Sequence, residues 1–298
     1  MNIGIDLMGG DNPQEIIKAI NNYIKVNQDK LTIFTTKDNK NLVNLATTKQ
    51  IEIIYCETEI AKDDDPAFVV RTKKDSTMAK GAAYLKEQKI DAFISAGNTG
   101  ALVACGVFIT KRLKSVAKPA LPGFLPRPNA KTPVMLLDLG ANISATKDNL
   151  LEYAQVANIY MQNFYGITNP SIKLLNNGVE ANKGTDLYKT VYQSLSENKT
   201  INFQGNIEAR EALVADCDII LMDGWSGNIL LKSIEGTVGF LGSSMKSVFY
   251  KNLKNKLAAL TLKKDLELMY NKLDYRELGA TPILGVNVLF IKSNGSYN

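Results

Sequence analysis

The most constraining feature of this sequence is a regular alternation between short apolar segments and stretches with helical periodicity. Apolar segments at residues 3–6, 31–35 and 51–55 have the length of strands, and amphipathic helical patterns separate them. Strands that alternate with helices favour a doubly wound α/β sheet, parallel or mixed, in which ligands bind at the carboxyl ends of the strands. We therefore predict a single α/β domain over residues 1–298, with two subregions around a central cleft.

One strand-to-helix turn has the composition of an anion site. An apolar segment ends at Ile94, the turn 95–100 reads Ser-Ala-Gly-Asn-Thr-Gly, and a helical pattern begins at Ala101. Free N–H groups and the helix dipole make such a turn attractive to phosphate, with Asn98 and Thr99 as added donors. The alternative is a tight turn without a ligand. The turn lacks the Lys-Ser/Thr pair that ends a Walker phosphate-binding motif, which disfavours an NTPase.

Asp, Asn and Gly also follow several other predicted strands. Each position is explained singly by the preference of these residues for turns. As a set, they would line one polar cleft if the strands are neighbours. The predicted substrate- or phosphate-binding positions include five residues of the turn described above: Ser95, Gly97, Asn98, Thr99 and Gly100. The others are Asp6, Gly9, Gly10, Asp11, Asp138, Asn142, Asn177 and Asn206. The same pattern recurs at Asp223 and Asn228.

Composition restricts the chemistry. The chain has no histidine, which removes Ser-His-Asp and Cys-His catalysis and the commonest zinc ligands. Its three cysteines are far apart and without metal-ligand spacing, so we expect reduced thiols in a cytoplasmic protein. The net charge of +5 permits an acidic partner, but no nucleic-acid motif is present. We expect no cofactor, no metal and no nucleic-acid partner.

Residues 241–273 have a different pattern. Leucines recur there at helical spacing, which predicts a hairpin of two amphipathic helices joined near residues 259–262. The hairpin would pack on the body or on a second subunit, or would touch an anionic membrane. Arg71, Lys73 and Lys74 form a basic cluster in the sequence. This cluster is either a solvated surface or a rim that attracts anions. The predicted partner or membrane surface comprises Arg71, Lys73, Lys74, Lys254, Lys256, Leu257, Leu260 and Leu262.

Several motifs resemble those of the bacterial phosphate acyltransferase (PlsX) family, and together they cover essentially the whole chain. The clearest are Ser-Ala-Gly-Asn-Thr-Gly-Ala at 95–101, Leu-Leu-Asp-Leu-Gly-Ala-Asn at 136–142 and Asp-Gly-Trp-Ser-Gly-Asn at 223–228. The sequence departs from the family pattern at three positions. Val179 stands where a glutamate is usual, Ala280 replaces a glycine, and Asn294 replaces a histidine.

The resemblance implies a fold like the isocitrate and isopropylmalate dehydrogenases and the phosphotransacetylases, and a homodimer. It also implies transfer of a long-chain fatty acyl group from acyl carrier protein to inorganic phosphate, which gives acyl phosphate for phospholipid synthesis. Members are cytoplasmic and can associate peripherally with the membrane. Because acyl carrier protein is acidic, the resemblance makes the basic and apolar surface described above the predicted carrier-protein or membrane surface.

Phosphate is already anionic near neutral pH, so the protein has only to position it and stabilise charge. We expect direct attack on the thioester, with phosphate held at the turn 97–100. The predicted catalytic residues are Asn98, Asn228, Lys183 and Asp223. The oxyanion is stabilised by Asn228, Asn142 or Lys183, and Asp138 and Asp223 orient these donors. The alternatives are a phosphotransacetylase-like enzyme on short acyl-CoA and a non-catalytic carrier-protein or lipid binding module.

Overall fold

The computed structural model describes residues 1–10, 12–61, 63–127, 130–262 and 280–293. The chain forms two compact units, one from Met1–Leu121 with Gly279–Asn298 and the other from Pro122–Leu278. Each unit has its own sheet, so the mixed α/β class is confirmed, but with two sheets where the sequence pattern suggested one. The predicted single domain with its central cleft stays a prediction.

The first unit is built on a six-stranded sheet in the order β10-β11-β4-β1-β2-β3, in which only β10 runs antiparallel to its neighbour. Its elements are β1 (Asn2–Asp6), α1 (Pro13–Val26), β2 (Lys30–Thr36), β3 (Ile51–Cys56), α2 (Pro66–Thr72), α3 (Thr77–Lys86), β4 (Ala92–Ser95), α4 (Thr99–Cys105), β10 (Ala280–Pro282) and β11 (Phe290–Ser293).

Helix α1 shows how sequence becomes structure in this unit. Pro13 occupies its first position, where the missing N–H costs nothing, and Glu15 in the first turn complements the helix dipole. Its apolar stripe buries Ile17 and Ile20 in one cluster with Leu31 and Ile33 of β2. Packing on the sheet therefore stabilises this helix.

The second unit has a five-stranded sheet in the order β5-β6-β9-β7-β8, parallel except for β5. Its elements are β5 (Gly123–Leu125), β6 (Val134–Leu137), α5 (Lys147–Tyr165), β7 (Ser171–Asn176), α6 (Asp186–Glu197), β8 (Asn202–Glu208), β9 (Ile219–Leu221) and α7 (Gly224–Phe249). Strands β6 and β9 are completely buried, as expected for strands covered on both faces.

The parallel pairing places the predicted polar positions at two sheet edges. In the first unit, Asp6 and Ser95 are paired at the carboxyl ends of β1 and β4. In the second, Asp138, Asn177 and Asp223 follow β6, β7 and β9. The predicted polar cleft is therefore represented by two sets of residues, one on each sheet.

The predicted hairpin is only partly described. Helix α7 runs without interruption from Gly224 to Phe249, and residues 253–262 are also helical. The helix break lies at residues 250–252, so the joint predicted at 259–262 was placed wrongly. The second predicted helix lies outside the described residues. Across the part of the chain that the structure describes, no helix is both long and apolar enough to cross a membrane.

Candidate functional site

In the first unit, a buried hydrogen-bond network joins the ends of β1 and β4. The Ser95 hydroxyl donates to Oδ2 of Asp6 at 2.7 Å, and the Gly97 N–H donates to Oγ of Ser95 at 3.1 Å. The Met8 N–H donates to the other oxygen of Asp6 at 3.2 Å. The network fixes the start of the 95–100 turn relative to β1.

Two features show how tightly this network is enclosed. A methyl group at Gly9 would lie 2.6 Å from Oγ of Ser95 and 2.7 Å from Oδ2 of Asp6, so only glycine lets this loop approach. Asp6 is buried, and burial raises the pKa of its carboxyl, although the hydrogen bonds from Ser95, Thr77 and Met8 act in the opposite direction. Asp11 lies outside the described residues.

Asn98 is the N-cap of α4, a role that the sequence analysis did not identify. Its side-chain oxygen accepts from the Ala101 N–H at 3.0 Å, and its amide nitrogen donates to the Asp64 carbonyl at 3.1 Å. Pro66 packs against Gly100 beside it. Both ends of the Asn98 amide are therefore engaged by the protein, while Thr99 and Gly100 form the first positions of the helix.

The basic cluster at 71–74 is less uniform than its sequence suggests. Lys73 donates to the Asp64 carboxylate at 2.5 Å and to the Glu59 carbonyl at 3.2 Å. The hydrogen bond from Lys73 lowers the pKa of Asp64. Arg71 lies over the Phe108 ring at 5.9 Å. Lys73 therefore supports the loop that holds Asn98, and the exposed positive charges are those of Arg71 and Lys74.

In the second unit, the Asp138 carboxylate organises the turn after β6. It accepts from the N–H groups of Ala141 and Asn142 at 3.1 and 2.8 Å, and from the Asn142 side chain at 3.3 Å. The Asn142 side chain also donates to the Tyr153 hydroxyl of α5 at 2.9 Å. Asp138 therefore acts as an acceptor that orients this turn, and its predicted role toward the oxyanion donors stays a prediction.

Asp223 is the N-cap residue of α7 and is held from two sides. Its Oδ1 accepts from the Ser226 N–H at 2.8 Å, which caps the helix. Its Oδ2 accepts from the Tyr188 hydroxyl at 2.7 Å, and its own N–H donates to that hydroxyl at 3.2 Å. Burial raises the pKa of Tyr188, so its hydroxyl stays protonated as a donor.

The loop between β7 and α6 carries Lys183. The Asn176 side chain donates to the Lys183 carbonyl at 3.2 Å, and the buried Asn206 donates to the Glu180 carbonyl at 2.8 Å. Asn206 therefore supports the loop from β8. The opposite end of its amide, Oδ1, is buried without a partner among the described residues.

The predicted residues divide into supporting and accessible groups. Asp6, Ser95, Asp138 and Asn206 are buried and hydrogen-bonded, and Asn98 is half-buried. Among the predicted catalytic and substrate-binding residues, three side chains are exposed and contact no polar partner in the described ranges: Asn177, Lys183 and Asn228. Within those same ranges, no group of three acidic or thiol side chains converges as around a metal ion.

Tyr153 and Tyr188 were not among the residues predicted from the sequence. Both are buried residues of helices, so their spacing is the same as that of ordinary core residues. Only the distance from each hydroxyl to Asn142 or Asp223 reveals a polar role.

Comparison with solved structures identifies the class of fold. A branched-chain phosphotransacylase from Enterococcus faecalis superposes with a TM-score of 0.61 at 17% identity, over 100% of this chain and 93% of that one. A phosphotransacetylase from Streptococcus pyogenes gives a TM-score of 0.57 at 16% identity, over 97% and 87%. The fold is therefore that of the phosphotransacylase-like α/β proteins.

Sequence comparison identifies the family. Residues 1–298 match the family described as "Fatty acid synthesis protein". A phosphate acyltransferase of Staphylococcus haemolyticus is 41% identical over 297 residues, 99% of this chain and 89% of that protein. One from Staphylococcus epidermidis is also 41% identical, over 99% and 90%. The chain belongs to this fatty acid synthesis protein family, together with these phosphate acyltransferases.

Proposed function

We propose that this protein transfers a long-chain fatty acyl group from acyl carrier protein to inorganic phosphate and releases acyl phosphate. The chain is an acyltransferase of its family, and phosphate is the acyl acceptor. The observation that best supports a site for this reaction is the pair Lys183 and Asn228. These exposed, unpaired donors follow the neighbouring parallel strands β7 and β9.

The reaction needs little from the protein beyond positioning and charge stabilisation. A phosphate oxygen attacks the thioester carbonyl carbon, a C–O bond forms, and the carbonyl oxygen becomes an oxyanion. When the carbonyl re-forms, the C–S bond breaks and the carrier thiolate leaves and takes up a proton from water. Lys183 and Asn228 stabilise the oxyanion, because a positive charge and a hydrogen-bond donor lower the energy of the negative charge that develops there.

A phosphate-binding role is proposed separately for the turn at the start of α4, within the first unit. The Gly97 N–H is already bound to Ser95, and the Ala101 N–H to Asn98. The donors left for phosphate are the N–H groups of Thr99 and Gly100, at the positive end of the helix. Asn98 contributes by fixing this turn.

The acyl donor is assigned from charge and apolar surface. Acyl carrier protein is acidic, and Arg71, Lys74, Lys254 and Lys256 are exposed cations. Leu257, Leu260 and Leu262 are exposed on residues 253–262, a surface suited to a long acyl chain, a membrane or a second subunit. The homodimer, the peripheral membrane contact, the dehydrogenase-like fold and the protruding hairpin belong to the same proposal.

The first experiment mixes the purified protein with palmitoyl acyl carrier protein, with and without inorganic phosphate, and measures thioester loss and acyl phosphate. We expect phosphate-dependent acyl phosphate formation. Acetyl-CoA with phosphate is run in parallel. Faster turnover of acetyl-CoA would favour a phosphotransacetylase-like enzyme, and carrier-protein binding without turnover would contradict the proposal in favour of a binding module.

A further inference from the structure

The Tyr188 hydroxyl connects the two segments that carry the proposed oxyanion donors. Tyr188 lies in the first turn of α6, five positions after Lys183, and is buried. Its hydroxyl exchanges two hydrogen bonds with Asp223, at 2.7 and 3.2 Å. Asp223 is the N-cap residue of α7, and Asn228 lies in the second turn of that helix.

The connection continues into both segments through the backbone. On the α7 side, Oδ1 of Asp223 caps the Ser226 N–H, and the Asp223 carbonyl accepts from the Gly227 N–H at 2.9 Å. On the α6 side, Thr185 caps the helix, and the Lys183 N–H donates to the Glu180 carbonyl at 3.1 Å. A shift of either segment would therefore disturb the Tyr188–Asp223 pair.

We propose that Tyr188 is a positioning residue for acyl transfer: its hydroxyl holds the Lys183 loop and the start of α7 in register, so that Lys183 and Asn228 reach the same oxyanion. This inference rests on the proposed function. Tyr188 touches neither phosphate nor the thioester in this scheme. Its effect is on geometry, and small errors in the position of a catalytic donor reduce turnover strongly.

The test compares Tyr188→Phe with Tyr192→Phe. Tyr192 lies one turn further along α6, and its hydroxyl has no partner among the described residues. Tyr192→Phe therefore removes a tyrosine hydroxyl without breaking the hydrogen bonds between Tyr188 and Asp223. We expect Tyr188→Phe to lower kcat at least tenfold, with the KM for the acyl carrier protein substrate nearly unchanged, and Tyr192→Phe to behave like the parent protein.

A double-mutant cycle separates positioning from a general loss of stability. Asn228→Ala should lower kcat by a smaller factor in the Tyr188→Phe background than in the parent. The reason is that a misplaced Asn228 side chain already stabilises the oxyanion less. Additive effects would overturn the inference, as would a parent-like kcat in Tyr188→Phe. If Tyr188→Phe fails to fold by circular dichroism, Asp223→Asn takes its place in the same cycle.

The two proposals fail in different ways. An inactive parent protein contradicts the proposed function, and the inference falls with it. An active parent whose Tyr188→Phe variant keeps its kcat contradicts the role of Tyr188 alone.

Discussion

Gly227 of α7 lies directly against the backbone of Asp138: a methyl group at Gly227 would be 1.9 Å from the Asp138 carbonyl oxygen. Since a backbone carbonyl cannot move aside as a flexible side chain can, this position admits only hydrogen. The contact presses the first turn of α7 onto the turn after β6. Asp138 is thereby joined to the helix that carries Asn228.

Gly227→Ala should therefore be strongly destabilising. Overpacking against a fixed neighbour costs about 1–3 kcal/mol or more, and the variant should also lose most of its transferase activity. Gly236→Ala on the same helix is the control, because nothing lies within 4 Å of a methyl group there. That change should stabilise the protein by about 0.5–1 kcal/mol, the usual gain from alanine in a helix interior. Urea unfolding measures both, and equal effects would contradict the close contact.

Lys183 gives a prediction about activity without stability. Its side chain is exposed and has no ion-pair partner in the described ranges, so Lys183→Met should leave the melting temperature unchanged. Loss of an oxyanion donor should lower kcat by about 10²–10³. The control is Lys189→Met, which removes an equally charged side chain that pairs with Asp186 at 3.3 Å on the outer face of α6. A parent-like kcat in Lys183→Met would remove Lys183 from the mechanism.

Asn98 can be tested for its two roles separately. Asn98→Ala should lower the free energy of unfolding by about 0.5–2 kcal/mol, the cost of losing an N-cap, and lower turnover as well. Asn98→Ser keeps a capping oxygen but loses the donor to the Asp64 carbonyl. If Asn98 acts by capping α4, serine should restore both stability and turnover. Restored stability with low turnover would show instead that the amide group itself takes part in the reaction.

The placement of polar residues at strand ends was predictable, because it depends on local pattern. Apolar runs ending in Asp, Asn and Gly at Asp6, Asp138 and Asp223 indicated strand ends, and parallel pairing then collected them at sheet edges. The division into two sheets was not predictable from the pattern, since strands alternate with helices in the same way in both units.

The contacts of the site residues depended on partners distant in sequence. The Asn98 amide donates to Asp64, 34 positions earlier, and Tyr188 meets Asp223, 35 positions later. Neither pair has a local signal, so Asn98 resembled a free donor and Tyr188 an ordinary core residue. The helix break at 250–252 was missed for a related reason: the leucine spacing continues across it from Phe249 to Leu257.

Asp6 predicts how stability depends on pH. Burial raises the pKa of its carboxyl in the folded protein above the ordinary 3.8, so the folded form keeps this proton to a higher pH than the unfolded form does. Stability that is fully present below the unfolded pKa is therefore lost as the pH rises through the folded pKa. The free energy of unfolding of the parent, minus that of Asp6→Asn, should fall over this window and then level off.

Urea unfolding at a series of pH values from 4 to 8 measures this difference, and subtraction removes the titration of the other carboxyl groups. Ser95→Ala tests whether the pH dependence comes from the Asp6 carboxyl. The Ser95 hydroxyl donates to Asp6 and favours its charged form, so loss of the hydroxyl should raise the folded pKa further and move the window to higher pH. A difference that rises with pH would mean that the hydrogen bonds to Asp6 outweigh its burial.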